Sequence, residues 1–118
     1  GVMNSFLMAE AIRTAQKMTG KTVIDAADMR AGMENLDITE ARLKEAGMEG
    51  FMAPLKLSCE DHSGENDVYV QQWDGKTWQK VSDWFPPMKE VVRPMLVKAA
   101  EDYVASNQPW PERSEPCN

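Results

Sequence analysis

The sequence predicts an α/β chain whose elements follow the order helix, helix, helix, strand, β-hairpin, helix. Three observations support this order: helical spacing of apolar residues near both ends, a period-two segment in the middle, and Asp74-Gly75 between two strand-like segments. The chain has 118 residues, 42% of them hydrophobic and 27% charged, within the range of folded globular proteins. We therefore interpret residues 1–118 as one unit.

Three helices are expected in the first 50 residues. The first spans 2–19 and ends before Gly20, which suits a left-handed C-terminal position. The second spans about 25–35 with an aspartate as its N-cap. A capping-box pattern over 37–40 introduces a short third helix that ends at Gly47. The first helix begins with an apolar segment, VMNSFLMA, which predicts burial on more than one side.

A strand, an exposed turn and a hairpin are expected next. The strand lies within 51–59, where polar and apolar residues alternate, and the polar segment 60–67 predicts a turn. A two-residue turn at Asp74-Gly75 would pair Trp73 with Lys76 and leave apolar side chains on both faces of the hairpin. An isolated hairpin cannot bury either face.

The last helix is expected within 86–107, and 108–118 reads as an extended tail. Pro94 lies inside the helical pattern. Because an interior proline costs ~3 kcal/mol, it predicts either a kink or a separate first turn.

The composition excludes several classes of function. The net charge is -6 and no segment concentrates basic residues, so nucleic acid is not expected as a partner. His62 is the only histidine. A Cys59–His62 catalytic pair is conceivable, but a polar turn explains these residues better. We expect no enzyme, no catalytic residue, no metal site and no cofactor.

The chain has two cysteines, Cys59 and Cys117. An even count and a cysteine in an irregular tail favour a disulfide if the protein is exported. In the cytosol both thiols would stay reduced.

The collinear order of several segments resembles a known family. The segments are EAIRTAQKMTGK, RAGMENL, GFMAPLKLSCEDHSG and VYVQQWDGKTWQKVSDW, within residues 1–85. Together they resemble the C-terminal part of the branched-chain amino-acid type of substrate-binding protein, which serves ABC transporters and has a type I periplasmic-binding-protein fold.

The resemblance implies an incomplete two-lobed binding protein. Residues 1–50 would be first-lobe helices, 51–59 a crossing strand, and 60–85 a loop and hairpin. The implied function is the solute-binding component of an ABC import system for amino acids or small organic acids. Its partners would be that small-molecule ligand, in the full-length protein, and an ABC permease. The implied location is periplasmic or otherwise exported, which favours the Cys59–Cys117 disulfide.

The resemblance also places the start of the first helix nearest the ligand cleft. Val2, Met3 and Asn4 lie there, where free N–H groups and the helix dipole favour an anionic group. The alternative function is a stand-alone protein–protein interaction module that self-associates through its exposed apolar faces.

Overall fold

The computed structural model describes residues 1–64, 67–112, 114 and 116–117. The chain forms two compact units, Gly1–Pro86 and Pro87–Asn118. In chain order the elements are α1 (Val2–Thr19), α2 (Ala26–Glu34), β1 (Asp37–Ile38), α3 (Glu40–Glu45), β2 (Leu55–Lys56), β3 (Gln71–Trp73), β4 (Trp78–Lys80) and α4 (Lys89–Ser106).

Helices α1 and α2 confirm the first two predicted helices. Gly20 ends α1 with φ of 70° and donates its amide to the carbonyl of Gln16. Asp25 caps α2: its side chain accepts from the amide of Asp28, and the Asp28 carboxylate accepts from the amide of Asp25. This reciprocal pair satisfies two backbone donors that a helix N-terminus leaves unbonded.

The two helices pack closely because small residues meet at their contact. Ala11 and Ala15 of α1 are fully buried. A Cβ added to Gly32 of α2 would come within 2.8 Å of the Ala15 Cβ and closer still to the Ala11 carbonyl oxygen. Only glycine therefore fits at position 32 without moving the backbone of α1.

The core of the first unit lies beneath this helix pair. It consists of six buried side chains from α1, α3 and the segments around β1 and β2: Ala11, Leu36, Ile38, Leu43, Met48 and Leu55. Half-buried Phe6 and Leu7 of α1 pack against this cluster. The segments after α2 thus supply five of the six buried side chains.

The strands around α3 differ from the prediction. Asp37 lies in β1, which pairs antiparallel with β2 through Asp37–Lys56 and Ile38–Leu55. The N-cap of α3 is consequently Thr39, whose hydroxyl accepts from the amide of Arg42 at 3.2 Å. The sequence prediction missed β1 and was wrong to give Asp37 the capping role, because Asp37 pairs in a strand.

The predicted crossing strand over 51–59 is also much shorter than expected. Only Leu55–Lys56 is strand. Phe51 lies in a turn, its amide bonded to the carbonyl of Met48, and Ser58 begins another turn by accepting the amide of Asp61 on its hydroxyl. These local bonds replace the pairing that a longer strand would need.

The hairpin is present, but its register differs from the prediction. Trp73 pairs with Trp78 rather than with Lys76, so the loop has four residues. The Asp74 carboxylate accepts the amides of Lys76 and Thr77, both at 2.8 Å, and this widens the turn. Because the register changes by two residues, each side chain keeps its predicted face.

The second unit contains α4 and the tail. Helix α4 is continuous, so Pro94 neither ends it nor separates its first turn. None of its residues is buried. In the tail Trp110 packs edge-on against Tyr103, with ring centroids 5.4 Å apart.

Candidate functional site

The first unit carries an open apolar groove of about 420 Å³ beside the start of α1, which we call the α1 groove. Three chain segments form it: the first two turns of α1, the turn before β2, and the residues that flank the hairpin. Its lining residues are Met3, Asn4, Leu7, Phe51, Met52, Ala53, Leu55, Asp67, Val68, Tyr69 and Trp84.

The α1 groove contains two of the three residues predicted to lie nearest a cleft. Met3 and Asn4 line it, whereas Val2 is exposed and is not among the lining residues. Gly1 is the N-cap of α1 and offers no side-chain cap. The start of the helix is therefore one wall of a concave surface, in which apolar side chains predominate.

The opposite wall is held by aromatic contacts. Tyr69 and Trp84 meet edge-on, with centroids 4.4 Å apart and planes at 76°. The Lys80 ammonium lies 5.3 Å from the Tyr69 centroid and 5.1 Å from that of Trp84. An antiparallel backbone bridge between Val68 and Phe85 brings together the two ends of the segment 68–85, which contains the hairpin. These contacts hold the two aromatic rings of the groove wall in place.

A second cavity, of about 370 Å³, lies between α2 and the turn after β2. Its apolar walls include Met29, Met33 and Leu57. At its polar side the Glu34 carboxylate is 8% exposed, and its Oε1 lies 3.4 Å from His62 Nε2 and 3.5 Å from Arg30 Nε. His62 thus faces a buried carboxylate that also pairs with Arg30, and this contact joins the turn to α2.

A half-buried ion pair stabilises α1 close to its groove residues. Arg42 of α3 donates to both carboxylate oxygens of Glu10, and exposed Arg13 adds a third bond at 2.9 Å. The hydrogen bonds from Arg42 contribute most to lowering the pKa of Glu10 below its ordinary value, against the effect of burial. Glu10 lies one turn after Leu7, so this pair fixes the helix that forms one groove wall.

The predicted disulfide is confirmed. Cys59 and Cys117 are both disulfide-bonded, and the sequence has no other cysteine. Among the described residues, no group of three or more acidic, histidine or cysteine side chains is placed to hold a metal ion.

Comparison with known proteins gives one match in structure. No family model matches the chain, and no curated protein matches it. The chain is similar to the crystal structure of an ABC transporter permease from the Pseudomonas fluorescens group, at 38% sequence identity and a TM-score of 0.84. The match covers 96% of this chain and 27% of that chain. This chain therefore spans about a quarter of the length of the protein that it matches.

This match overturns the predicted function. The sequence prediction of a solute-binding component is wrong, since the protein that the chain resembles in structure is an ABC transporter permease. The match also gives no support to the alternative, a self-associating interaction module, or to an amino-acid ligand. Within the part of the chain that the structure describes, no helix is long and apolar enough to span a membrane. The type I binding-protein fold stays a prediction.

Sequence reasoning missed most of the groove and both buried-carboxylate contacts, those of Glu10 and Glu34. Phe51, Tyr69 and Trp84 come together from separate segments, and no spacing in the sequence joins them to α1. The Glu10–Arg42 pair spans 32 residues and has no local signature. The sequence shows that Glu34 lies at the end of a predicted helix and that His62 is the only histidine. It does not show that the two side chains are close together.

Proposed function

We propose that this chain functions as a segment of an ABC transporter component related to the matched permease. The observation that carries the proposal is the structural match: 38% identity over 96% of this chain, with a TM-score of 0.84. The similarity in sequence and structure extends over nearly the whole chain and is not confined to one helix or to the hairpin. The proposed role is structural, since the chain would supply about a quarter of a larger folded protein.

The distribution of apolar surface supports a role inside a larger protein. Val2, Phe51 and Trp78 are each more than half exposed, and α4 buries no residue. Soluble proteins of this size seldom expose so many large apolar side chains. A segment that packs against further polypeptide accounts for them.

An oxidising location is part of the proposal. Disulfides persist in exported proteins and are rare in the cytosol, and both Cys59 and Cys117 are bonded. We therefore propose that this part of the transporter component faces the exported side of the membrane.

A chimera tests the proposed function. In the Pseudomonas protein, the region equivalent to this chain is replaced by residues 1–118, and the tagged chimera is purified from cells. We expect it to unfold in one thermal transition and to co-purify with the same transporter subunits as the unaltered protein. A chimera that folds but recovers none of those subunits would contradict the proposal.

A matched control comes from the α1–α2 contact. A chimera that carries Gly32→Leu places a large side chain against the Ala15 Cβ and the Ala11 carbonyl oxygen. It should lose the thermal transition and the co-purifying subunits together. If the Gly32→Leu chimera recovers the transporter subunits in the same amount as the chimera without this change, those subunits do not recognise the folded chain.

A further inference from the structure

We propose that the α1 groove is an intramolecular docking site for an apolar segment of a longer polypeptide that contains this chain. The inference rests on the proposed function and adds where the rest of the protein attaches. It is carried by the shape and chemistry of the groove together with the partial coverage of the matched protein. The groove lies wholly within the first unit, Gly1–Pro86.

The groove is concave, large and poor in charge. Its volume of about 420 Å³ is enough to receive several side chains. Among the lining residues that the structure describes, Asp67 is the one with a charged side chain, and Asn4 adds one amide. Met3, Phe51 and Val68 are lining residues with 43%, 59% and 46% of their surface exposed. A surface of this kind gains stability when an apolar partner displaces water from it.

The walls of the groove are fixed before any partner arrives. The Glu10–Arg42 ion pair holds α1, and the Tyr69–Trp84 contact with Lys80 holds the opposite wall. Leu7 and Leu55 at the base also belong to the core cluster or pack against it. A preorganised groove loses less conformational entropy on docking, so less of the free energy of its apolar contacts is offset.

The occupant follows from the comparison. The matched protein is far longer, and 73% of it (100% minus 27%) has no counterpart in this chain. A partner with many charged residues would bury most of them without compensation, because the described lining residues include one charged side chain, Asp67. The occupant is therefore an apolar segment of the same polypeptide, with at most one basic residue placed to face Asp67.

Thiol labelling tests this docking. Cys59 and Cys117 are bonded, so without reductant an introduced cysteine is the one free thiol of residues 1–118, and peptide mass mapping assigns the label to it in the chimera. Met3→Cys and Val68→Cys place it in the groove, and Val23→Cys places it at a site outside the groove that is 84% exposed. Rates of maleimide labelling are compared between the isolated chain and the chimera.

We expect the two groove thiols to react at least about tenfold more slowly in the chimera, with the Val23→Cys rate unchanged, because a docked segment restricts access. Equal rates for the groove thiols in both proteins would overturn the inference. A chimera that co-purifies with the transporter subunits while its groove stays reactive would keep the proposed function and remove the docking. A chimera that fails to fold counts against both.

The isolated chain supplies the remaining control. If its groove thiols become protected as its own concentration rises, a second copy of the chain occupies the groove, and the proposed occupant is wrong. Labelling rates independent of concentration, with protection in the chimera alone, support the intramolecular segment.

Discussion

Arg42 donates from Nε and Nη2 to the two carboxylate oxygens of Glu10, at 2.9 and 2.7 Å, and thereby joins α3 to α1. The side chains of Glu10 and Arg42 are 12% and 26% exposed. Two parallel hydrogen bonds fix both orientation and distance, which a single contact cannot do. This pair connects α1 and α3 through two residues that lie 32 positions apart in the sequence.

Replacing Arg42 by glutamine should destabilise the fold. The change leaves the mostly buried Glu10 carboxylate without its main partner, which costs about 1–3 kcal/mol. Chemical denaturation monitored by circular dichroism measures the free energy of unfolding. The matched control is Arg13→Gln, which removes an exposed donor from the same carboxylate and should cost about 0–1 kcal/mol. Equal losses in the two variants would contradict the special role of Arg42.

Gly32→Ala should destabilise the chain although alanine is the better helix former by about 1 kcal/mol. The added methyl would meet the Ala15 Cβ at 2.8 Å, so the helices must separate. Overpacking of this kind costs about 1–3 kcal/mol. Thermal unfolding measures the loss, with exposed Met33→Ala on the same helix as the control. A gain in stability for Gly32→Ala would show that α1 and α2 are not in close contact.

The turn of the hairpin should depend on pH through Asp74. The amides of Thr77 and Lys76 bond to its charged form and lower its pKa to about 2. The stabilisation of the turn is thus fully present above the ordinary pKa of 3.8 and is lost as the pH falls through about 2. Amide shifts of Lys76 and Thr77, followed by NMR during acidification, should report this step.

Asp74→Asn is the control for that titration. An asparagine oxygen can still accept from both amides, but it carries no titrating proton. We expect the shifts of Lys76 and Thr77 in this variant to stay constant across the same pH interval. In the unaltered chain, a midpoint near 3.8 instead of near 2 would show that the two amides do not bond to the carboxylate.

The disulfide predicts the result of thiol counting. Without reductant the denatured chain should take up no alkylating agent, and after reduction it should take up two equivalents, because Cys59 and Cys117 are both bonded. Intact-mass measurement before and after reduction decides this. Two reactive thiols in the unreduced protein would refute the bond.

Local signals predicted the helices well and the strands poorly. Helix α1 has the predicted bounds because Gly20 and the apolar spacing both act within one or two turns. Strand β1 carries no such signal, since Asp37 and Ile38 become strand only by pairing with residues 17 or more positions later. The hairpin register was wrong because the Asp74 side chain competes for turn amides, which a two-residue motif does not reveal.

In the candidate site, too, local sequence signals located some residues and missed those that come from distant segments. Val2, Met3 and Asn4 were predicted to lie nearest a ligand cleft. Met3 and Asn4 line the α1 groove, and a ligand at this position stays a prediction. The rest of the lining comes from the turn before β2 and from both sides of the hairpin, which no periodicity connects to α1. The family resemblance pointed to a solute-binding role, which the match to a permease contradicts. Motif order thus suggested a transport system but the wrong component of it.

By itself, the sequence determined the helices, their glycine and aspartate boundaries, the existence of the hairpin and which side chains share its faces. These features depend on backbone preferences and side-chain periods that act over a few residues. Only the tertiary structure decided that Gly32 packs on Ala15, that Arg42 binds Glu10, and that three distant segments enclose a groove. Those contacts join residues that are far apart in the sequence. They form only when the whole core packs, so no local sequence pattern specifies them.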